Sequence, residues 1–352
     1  MVTIEDVARE AGVSKSTVSF VINKRNIVKL ETKYKVLEAI EKLNYIPNVA
    51  AQELITKRKQ TLGLVINTAQ YSYSFNAGAD TYFEDVTNGI LKEIVKTPYS
   101  ILYEQFDGNG QSDGIPAIVR NKRVDGYFII GRIFESVFIK RLLQEKIPFV
   151  VINRNCSKVD CAYTDSKFAT YIGIKYLLDS GHRDIAFINA PDDHPTSFLK
   201  LEGYRLALAE AGIEFNPDWV RHSNFSGKGG YDAAKEIWES GARPTAIASG
   251  HDIIIIGAMK FFHHQGIRVP EDVSLLGYED SILSEYSIPG LTTVKINKEK
   301  IGMEACRVLL ERIANPKTKL ANIVVPPQLI VRETVQPLGR MNGKGEYDAE
   351  DR

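Results

Sequence analysis

The chain has 352 residues, 44% of them apolar and 25% charged, and its 44 Lys+Arg balance 44 Asp+Glu. This length suits two or three domains, and the composition is typical of a soluble globular protein. The sequence lacks the patterns expected of a membrane span, a secretory signal, a disulfide framework or a metal finger. We therefore expect a cytoplasmic protein that carries no metal or other cofactor.

Charge is unevenly distributed along the chain. Residues 1–60 carry 11 Lys+Arg against 7 Asp+Glu, so the remainder is acidic by the same margin. A basic head on an acidic body is a weak indication that the head binds an anionic partner.

Three helices are predicted in the head. Apolar residues recur at helical spacing over 4–11, with Thr3 as the N-cap. A second helix is predicted over 15–22 with Ser14 as its N-cap, and a third over about 32–44. Two helices joined by a tight turn, with a third behind them, are typical of a helix-turn-helix, whose second helix enters the DNA major groove.

The second predicted helix has two contrasting faces. It would bury Val18, Val21 and Ile22 while directing Ser16 and Phe20 outward. Small hydroxyl side chains allow close approach to DNA and can hold phosphates. An ordinary solvated surface helix is the alternative interpretation for these residues, although an outward aromatic usually has a partner.

From Thr61 onward, strand-length apolar runs alternate with amphipathic helical stretches. This alternation predicts parallel α/β structure, and about 275 residues favour two lobes, with ligands beyond the carboxyl ends of the strands. Strands are predicted at 62–66, 100–106, 126–130, 148–152, 185–190, 245–249 and 273–278. Helices are predicted at 83–96, 166–180, 199–212, 230–240 and 252–266.

The head and body together resemble the LacI/GalR family of bacterial transcription regulators. The resemblance is carried in the head by TIEDVAREAGVSKSTVSFVIN (3–23) and VLEAIEKLNYIPNVAAQEL (36–54). In the body it is carried by blocks such as VPEDVSLLGYED (269–280) and PGLTTVKI (289–296). It covers the chain from Thr3 to about Val335.

The resemblance implies an all-α helix-turn-helix domain followed by an α/β, periplasmic-binding-protein-like, two-lobed effector domain. It also implies a homodimer or tetramer that binds palindromic double-stranded operator DNA, without membrane association. The implied segments are a helix-turn-helix DNA-binding domain (1–46), a hinge helix and linker (47–60), a first lobe (about 61–159 and 291–320), a second lobe (about 160–290 and 321–336) and a disordered tail (337–352).

Matching positions imply which residues contact DNA. Phe20 and Gln52 stand where the family usually has Arg, and Lys29 replaces a Ser that caps the third helix, which is therefore expected to start later or fray. Leu54 matches a leucine that wedges between base steps. The implied DNA-binding residues are Thr3, Ser14, Lys15, Ser16, Thr17, Ser19, Phe20, Asn23, Asn48, Ala51 and Leu54.

Other matches imply an effector site in the body. Asp252 matches an Asp that holds ligand hydroxyls or ring nitrogens, and Lys200 stands where the family usually has Arg. For His251, Asp165 and Asn67, a strand-end cap or a lobe-hinge hydrogen bond is an equal alternative to ligand contact. The loop 68–85 departs most from the family. Its residues Tyr71, Tyr73 and Phe75 are expected to line the mouth of the effector site, and a plain surface loop is the alternative interpretation. The implied effector-binding residues are Asn67, Tyr71, Tyr73, Phe75, Asp165, Lys200, Phe225, His251 and Asp252.

The function that follows is a repressor of carbohydrate-utilisation genes whose operator affinity is changed allosterically by a small effector, expected to be a sugar. A nucleobase, a sugar phosphate or a protein coregulator as the signal is an open alternative. A sugar-binding sensor without a DNA role is another. An enzyme is not expected, because phosphate loops, nucleophile elbows and zinc-protease motifs are absent from the sequence.

Overall fold

The computed structural model describes residues 2–22, 27–45, 58–67, 82–106, 114–131, 137–192 and 194–338. They fall in two compact units, Met1–Gln60 and Thr61–Arg352, which we call the head and the body. In the part described, no helix is long and apolar enough to cross a membrane. The tail predicted to be disordered lies outside the described residues from position 339 onward.

Among its described residues the head has three helices, α1 (Ile4–Ala11), α2 (Lys15–Ile22) and α3 (Leu30–Lys42). Their apolar faces meet in one cluster with fully buried valines from each helix. A capping box joins Thr3 to Asp6 at the start of α1. Gly12 ends α1 with φ of 64°, a left-handed conformation that suits glycine. The predicted helix-turn-helix arrangement is therefore confirmed.

One expectation for the head is wrong. The third helix does not start late, because Leu30 begins it directly after Lys29, which provides no side-chain cap. Burial of Val36 and Ala39 against the other two helices supplies the stabilisation that the cap does not.

The body alternates strands and helices. Its strands are β1 (Thr61–Asn67), β2 (Ser100–Phe106), β3 (Gly126–Ile130), β4 (Phe149–Ile152), β5 (Asp160–Tyr163), β6 (Ile185–Asn189), β7 (Val220–His222), β8 (Ala246–Ser249), β9 (Ser274–Glu279), β10 (Thr292–Lys295), β11 (Asn322–Val324) and β12 (Gln328–Ile330). Its helices are α4 (Tyr82–Ile94), α5 (Ala117–Arg120), α6 (Val137–Gln144), α7 (Ser166–Asp179), α8 (Ser197–Glu210), α9 (Gly227–Glu239), α10 (Asp252–His264), α11 (Ile282–Tyr286) and α12 (Lys298–Ala314).

The strands form two six-stranded sheets, each the centre of one lobe. Lobe 1 has the order β11-β5-β4-β3-β1-β2 and is parallel throughout. Lobe 2 has the order β12-β10-β9-β8-β6-β7, with β12 alone antiparallel. Every residue of β3 and β4 is buried, as expected for parallel strands covered by helices on both faces.

The lobe boundaries differ from the predicted ones by several residues, because strand pairing extends each sheet past the expected crossing. β5 pairs with β4 in lobe 1, so the chain crosses after Tyr163 rather than near 160. β10 pairs with β9 in lobe 2, so the second crossing follows Lys295 rather than 290. β11 pairs with β5, so the last crossing follows Val324 rather than 320.

Candidate DNA interface and ligand cleft

Helix α2 is capped at its start and anchored by its inner face. The Ser14 hydroxyl accepts a hydrogen bond from the Thr17 amide at 3.1 Å, as an N-cap does. Val18 is fully buried and Val21 nearly so, while Ile22 packs at the edge of the same cluster. This face fixes the roll of α2 and so determines which side chains it presents to a partner.

The outer face of α2 carries the side chains predicted to contact DNA. Lys15 and Ser16 are exposed, whereas Thr17, Ser19 and Phe20 are half-buried. The Lys15 ammonium lies 2.8 Å from the Glu5 carboxylate and holds the pKa of that carboxyl below its usual value. An exposed ion pair of this kind is weak, so it can be exchanged for a phosphate contact.

Thr3 is occupied in the cap of α1. Its amide and its hydroxyl both donate to the Asp6 carboxylate, at 2.9 and 2.7 Å. Four other residues predicted to contact DNA lie outside the described residues: Asn23, Asn48, Ala51 and Leu54.

A cleft lies between the lobes of the body, at the carboxyl ends of strands from both sheets. Lobe 1 lines it with Asn153 after β4 and Thr164 after β5. Lobe 2 lines it with Lys200, Phe225 and His251, three residues that the sequence assigned to an effector site. Its empty volume is about 540 Å³ when the open mouth is included. Little of this space is wide enough for a water molecule, so the cleft is a narrow slot.

Lys200 is buried in the wall of this slot at 4% exposure. Its ammonium donates to the Gly250 carbonyl at 2.6 Å and lies 4.0 Å from the centre of the Tyr278 ring. These two contacts fix the ammonium group in the wall of the slot.

Glu279 is the carboxylate of the cleft. One of its oxygens lies 2.8 Å from His251 Nε2, and the other accepts from the Lys298 ammonium at 2.9 Å. Burial raises the pKa of this carboxyl, but His251 and Lys298 outweigh burial and lower it to about 2. Glu279 is therefore ionised at neutral pH and acts as a hydrogen-bond acceptor.

Three rings form a continuous edge-to-face row beside the carboxylate. The Phe225 ring centre lies 4.8 Å from that of His194 and 5.3 Å from that of His251. Burial, aided by Lys200 and His251, lowers the pKa of His194 to about 3, so this imidazole is uncharged at neutral pH. The row presents an apolar wall with polar ring nitrogens at both ends.

Asp252 does not line the cleft, contrary to the role predicted for it. It is fully buried behind the wall, where its oxygens accept from the Ser281 amide and the Thr293 hydroxyl, each at 2.7 Å. Burial is the main cause that raises the pKa of Asp252 to about 6, and the negative charge of the nearby Glu279 adds to it. Glu279 lines the slot instead, because it is the last residue of β9, at the carboxyl end of the sheet.

Asp165 caps α7 rather than facing the cleft. Its carboxylate accepts from the Lys167 and Phe168 amides at 3.0 and 3.1 Å, which is the alternative role that the sequence left open. Its neighbours Thr164 and Ser166 line the slot. Asn67 ends β1, and its side chain is not among those described. Tyr71, Tyr73 and Phe75 also lie outside the described residues.

Several lining residues were missed from the sequence, namely Asn153, Thr164, His194, Thr196, Tyr278 and Glu279. Half of them follow or end a strand at its carboxyl end, the position where parallel sheets bind ligands. Asn153 directly follows the predicted strand 148–152, so that rule alone pointed to it. His194 and Thr196 precede α8 in a loop that carries no comparable signal.

Comparisons with known proteins support both parts of the chain. Residues 3–48 match the family described as bacterial regulatory proteins, lacI family, and residues 174–335 match the periplasmic binding protein-like domain. The HTH-type transcriptional repressor PurR of Histophilus somni (strain 129Pt) is 31% identical over 96% of this chain and 100% of its own. The protein of the same name from Vibrio campbellii (strain ATCC BAA-1116) is 33% identical with the same coverage.

Solved structures agree. The lac repressor dimer bound to operator and the anti-inducer ONPF has a TM-score of 0.80 at 26% identity, covering 95% of this chain and 99% of that one. The transcriptional regulator CelR–cellobiose complex has a TM-score of 0.71 at 27% identity, covering 95% and 100%.

A helix-turn-helix head and a two-lobed body with an interlobe cleft define a DNA-binding transcriptional repressor. The chain belongs to the lacI family of bacterial regulatory proteins.

Proposed function

We propose that this repressor binds operator DNA through α2 and that a small ring compound held in the interlobe cleft changes its operator affinity. The observation that carries the proposal is the cleft itself, lined by polar and aromatic side chains from both lobes. A ligand that touches both lobes favours one lobe arrangement over another. Its differential affinity for the two arrangements is the free energy available to change DNA binding.

A carbohydrate is the first candidate for the effector. Glu279 is an ionised acceptor for hydroxyl groups, and Phe225 offers an aromatic surface for a sugar ring. A solved relative at 27% identity is a complex with cellobiose. A nucleobase is the second candidate, because a slot this narrow suits a flat ring and the same carboxylate accepts from ring N–H groups.

The base preference is proposed to be set by Lys15, Ser16 and Phe20 on α2. Their positions on or beside the outer face let them reach base edges once the helix lies in the major groove. Phe20 cannot donate a hydrogen bond, so its expected contact is a thymine methyl group.

A homodimer is proposed because the body exposes apolar surface on both lobes. In lobe 1, Val95 is 78% exposed near the edge strand β2, which also exposes Tyr103. In lobe 2, Tyr286 and Ile288 are 74% and 94% exposed. A two-fold dimer would cover such faces and present two α2 helices to a palindromic site.

The proposal is tested with the full chain and a panel of defined compounds: cellobiose, D-glucose, D-glucose 6-phosphate, hypoxanthine and guanine. At least one sugar or base is expected to raise the melting temperature of the wild type and not that of Phe225→Ala. Phe168→Ala, which removes an exposed aromatic from α7, is the matched control and should respond like the wild type. If the panel leaves the wild type unchanged, the ring-compound proposal is wrong, and a protein coregulator becomes the candidate.

A further inference from the structure

A chain of charged groups, buried at Glu279 and Lys298, runs from the cleft into lobe 1. The Lys298 ammonium, 4% exposed, lies 2.9 Å from one Glu279 oxygen and 3.4 Å from an Asp85 oxygen. The other Glu279 oxygen contacts His251. Glu279 lines the cleft, whereas Lys298 lies behind it. Lys298 can therefore affect a ligand through the carboxylate that it holds.

Lys298 and Glu279 belong to different lobes. Glu279 ends β9 in the sheet of lobe 2, and Lys298 begins α12, whose apolar face packs in the core of lobe 1. Helices α12 and α4 touch closely, since a Cβ added to Gly89 would lie 2.0 Å from the Glu299 carbonyl oxygen. The ammonium therefore joins the carboxylate of one lobe to a tightly packed helix pair of the other.

The burial of this pair makes each partner dependent on the other. Removing one member of a buried ion pair leaves an uncompensated charge, which is costly, whereas an exposed pair is worth little. With one donor on each oxygen, Glu279 retains a lone pair on each for a ligand. The ligand group opposite it must then be an N–H or O–H donor, which sugar hydroxyls and ring N–H groups both supply.

We propose that Lys298 is a positioning residue for the ligand cleft, which holds the Glu279 carboxylate against the ligand and links ligand contact there to helices α4 and α12 of lobe 1. This inference rests on the proposed function, since it requires that the effector binds in this cleft. A purely structural ion pair would stabilise the body without influencing ligand affinity.

The pH dependence supplies a readout that does not need a ligand. Glu279 is faced by His251 and Asp252 from α10 and by Lys298 from α12, and Asp85 from α4 faces Lys298. A carboxyl whose pKa is about 2 in the folded chain stabilises it above about pH 4.5 and loses that effect as the pH falls toward 2. Replacing Lys298 should therefore lower the stability of the folded chain most near neutral pH and progressively less as the pH falls.

The experiment compares full-length wild type, Lys298→Met, Lys298→Arg and Lys92→Met. Lys92 is the matched control, because its 2.6 Å pair with Glu299 also joins α4 to α12 but is exposed. Lys298→Met is expected to lower the melting temperature at pH 7 by roughly 5–15 °C. It should also weaken binding of the stabilising sugar or base by about tenfold or more in calorimetry. Lys298→Arg should restore most of the melting temperature and most of the affinity, and Lys92→Met should change neither quantity.

Two results would overturn the inference. One is a Lys298→Met protein that melts lower but binds the compound with wild-type affinity, which would make the pair purely structural. The other is a melting-temperature deficit that does not shrink between pH 7 and pH 3.5. If no panel compound binds the wild type, the proposed function fails separately while the pH profile still decides the link to Glu279. Glu279→Gln, which preserves side-chain shape, provides the same pH comparison if Lys298→Met does not fold.

Discussion

The carboxylate of Asp252 accepts a hydrogen bond from the Thr293 hydroxyl at 2.7 Å inside a fully buried site. Because the pKa of Asp252 is raised to about 6, the folded chain binds more protons than the unfolded chain between about pH 4 and 6. This group therefore makes stability fall as the pH rises through that window.

Asp252→Asn is expected to remove this component of the pH dependence. An asparagine can still accept from the Ser281 amide and can donate to the Thr293 hydroxyl, so the contacts persist without a buried charge. At pH 7 the variant should gain up to about 3 kcal/mol in the free energy of unfolding from urea titrations. Asp165→Asn, which keeps an exposed N-cap, is the control, and the same pH slope in Asp252→Asn as in the wild type would contradict the assignment.

The start of α2 provides a second prediction. Ser14→Ala removes the hydroxyl that accepts from the Thr17 amide, and losing such a cap costs about 1 kcal/mol. Hydrogen exchange of α2 amides should therefore become about fivefold faster. Ser16→Ala, at the exposed second residue of α2, should leave exchange unchanged, and equal effects of the two variants would show that Ser14 is not the cap.

Phe20 provides a test of base preference. Phe20→Arg replaces a methyl-contacting ring by a bidentate donor that favours guanine, with about 1–3 kcal/mol of discrimination. A binding-site selection with the variant should return a half-site changed at one position. Tyr34→Arg, which adds the same charge on the exposed face of α3, should return the wild-type site. An unchanged half-site for Phe20→Arg would place Phe20 away from the bases.

The contact between α4 and α12 depends on glycine. A Cβ on Gly302 would lie 2.0 Å from the Val86 carbonyl oxygen, so Gly302→Ala must push the helices apart. We expect its melting temperature to fall by roughly 5 °C or more. Gly227→Ala is the control, because the nearest atoms to its added Cβ lie 3.9 Å away. Equal melting temperatures for both variants would mean that the helix contact is not tight.

The elements with strong periodicity were predictable from the sequence. The head helices have clear caps and apolar spacing, and the buried strands β1, β3 and β4 are continuous apolar runs. Five short strands were missed, namely β5, β7, β10, β11 and β12, since each has only three or four residues and none is a continuous apolar run like β4. The pairing of four of these strands, β5, β10, β11 and β12, decides where the chain crosses between the lobes.

The site was predictable only in part. Lys200, Phe225 and His251 were assigned to it by resemblance, and all three line the cleft. Asp252 begins the helix that follows β8 and Glu279 ends β9, and only the packing shows that Glu279 is the one that faces the slot. The role of Lys298 depends on a contact between lobes that no local pattern encodes.

The central claim is that occupancy of the interlobe cleft changes operator binding. Its most direct test is fluorescence anisotropy of the full chain on the duplex obtained by binding-site selection, with and without a saturating compound that stabilises the wild type. The account predicts that the dissociation constant for DNA changes at least about fivefold in the wild type and that the change is lost in Phe225→Ala. An unchanged dissociation constant in the wild type, or the same change in Phe225→Ala, would contradict it.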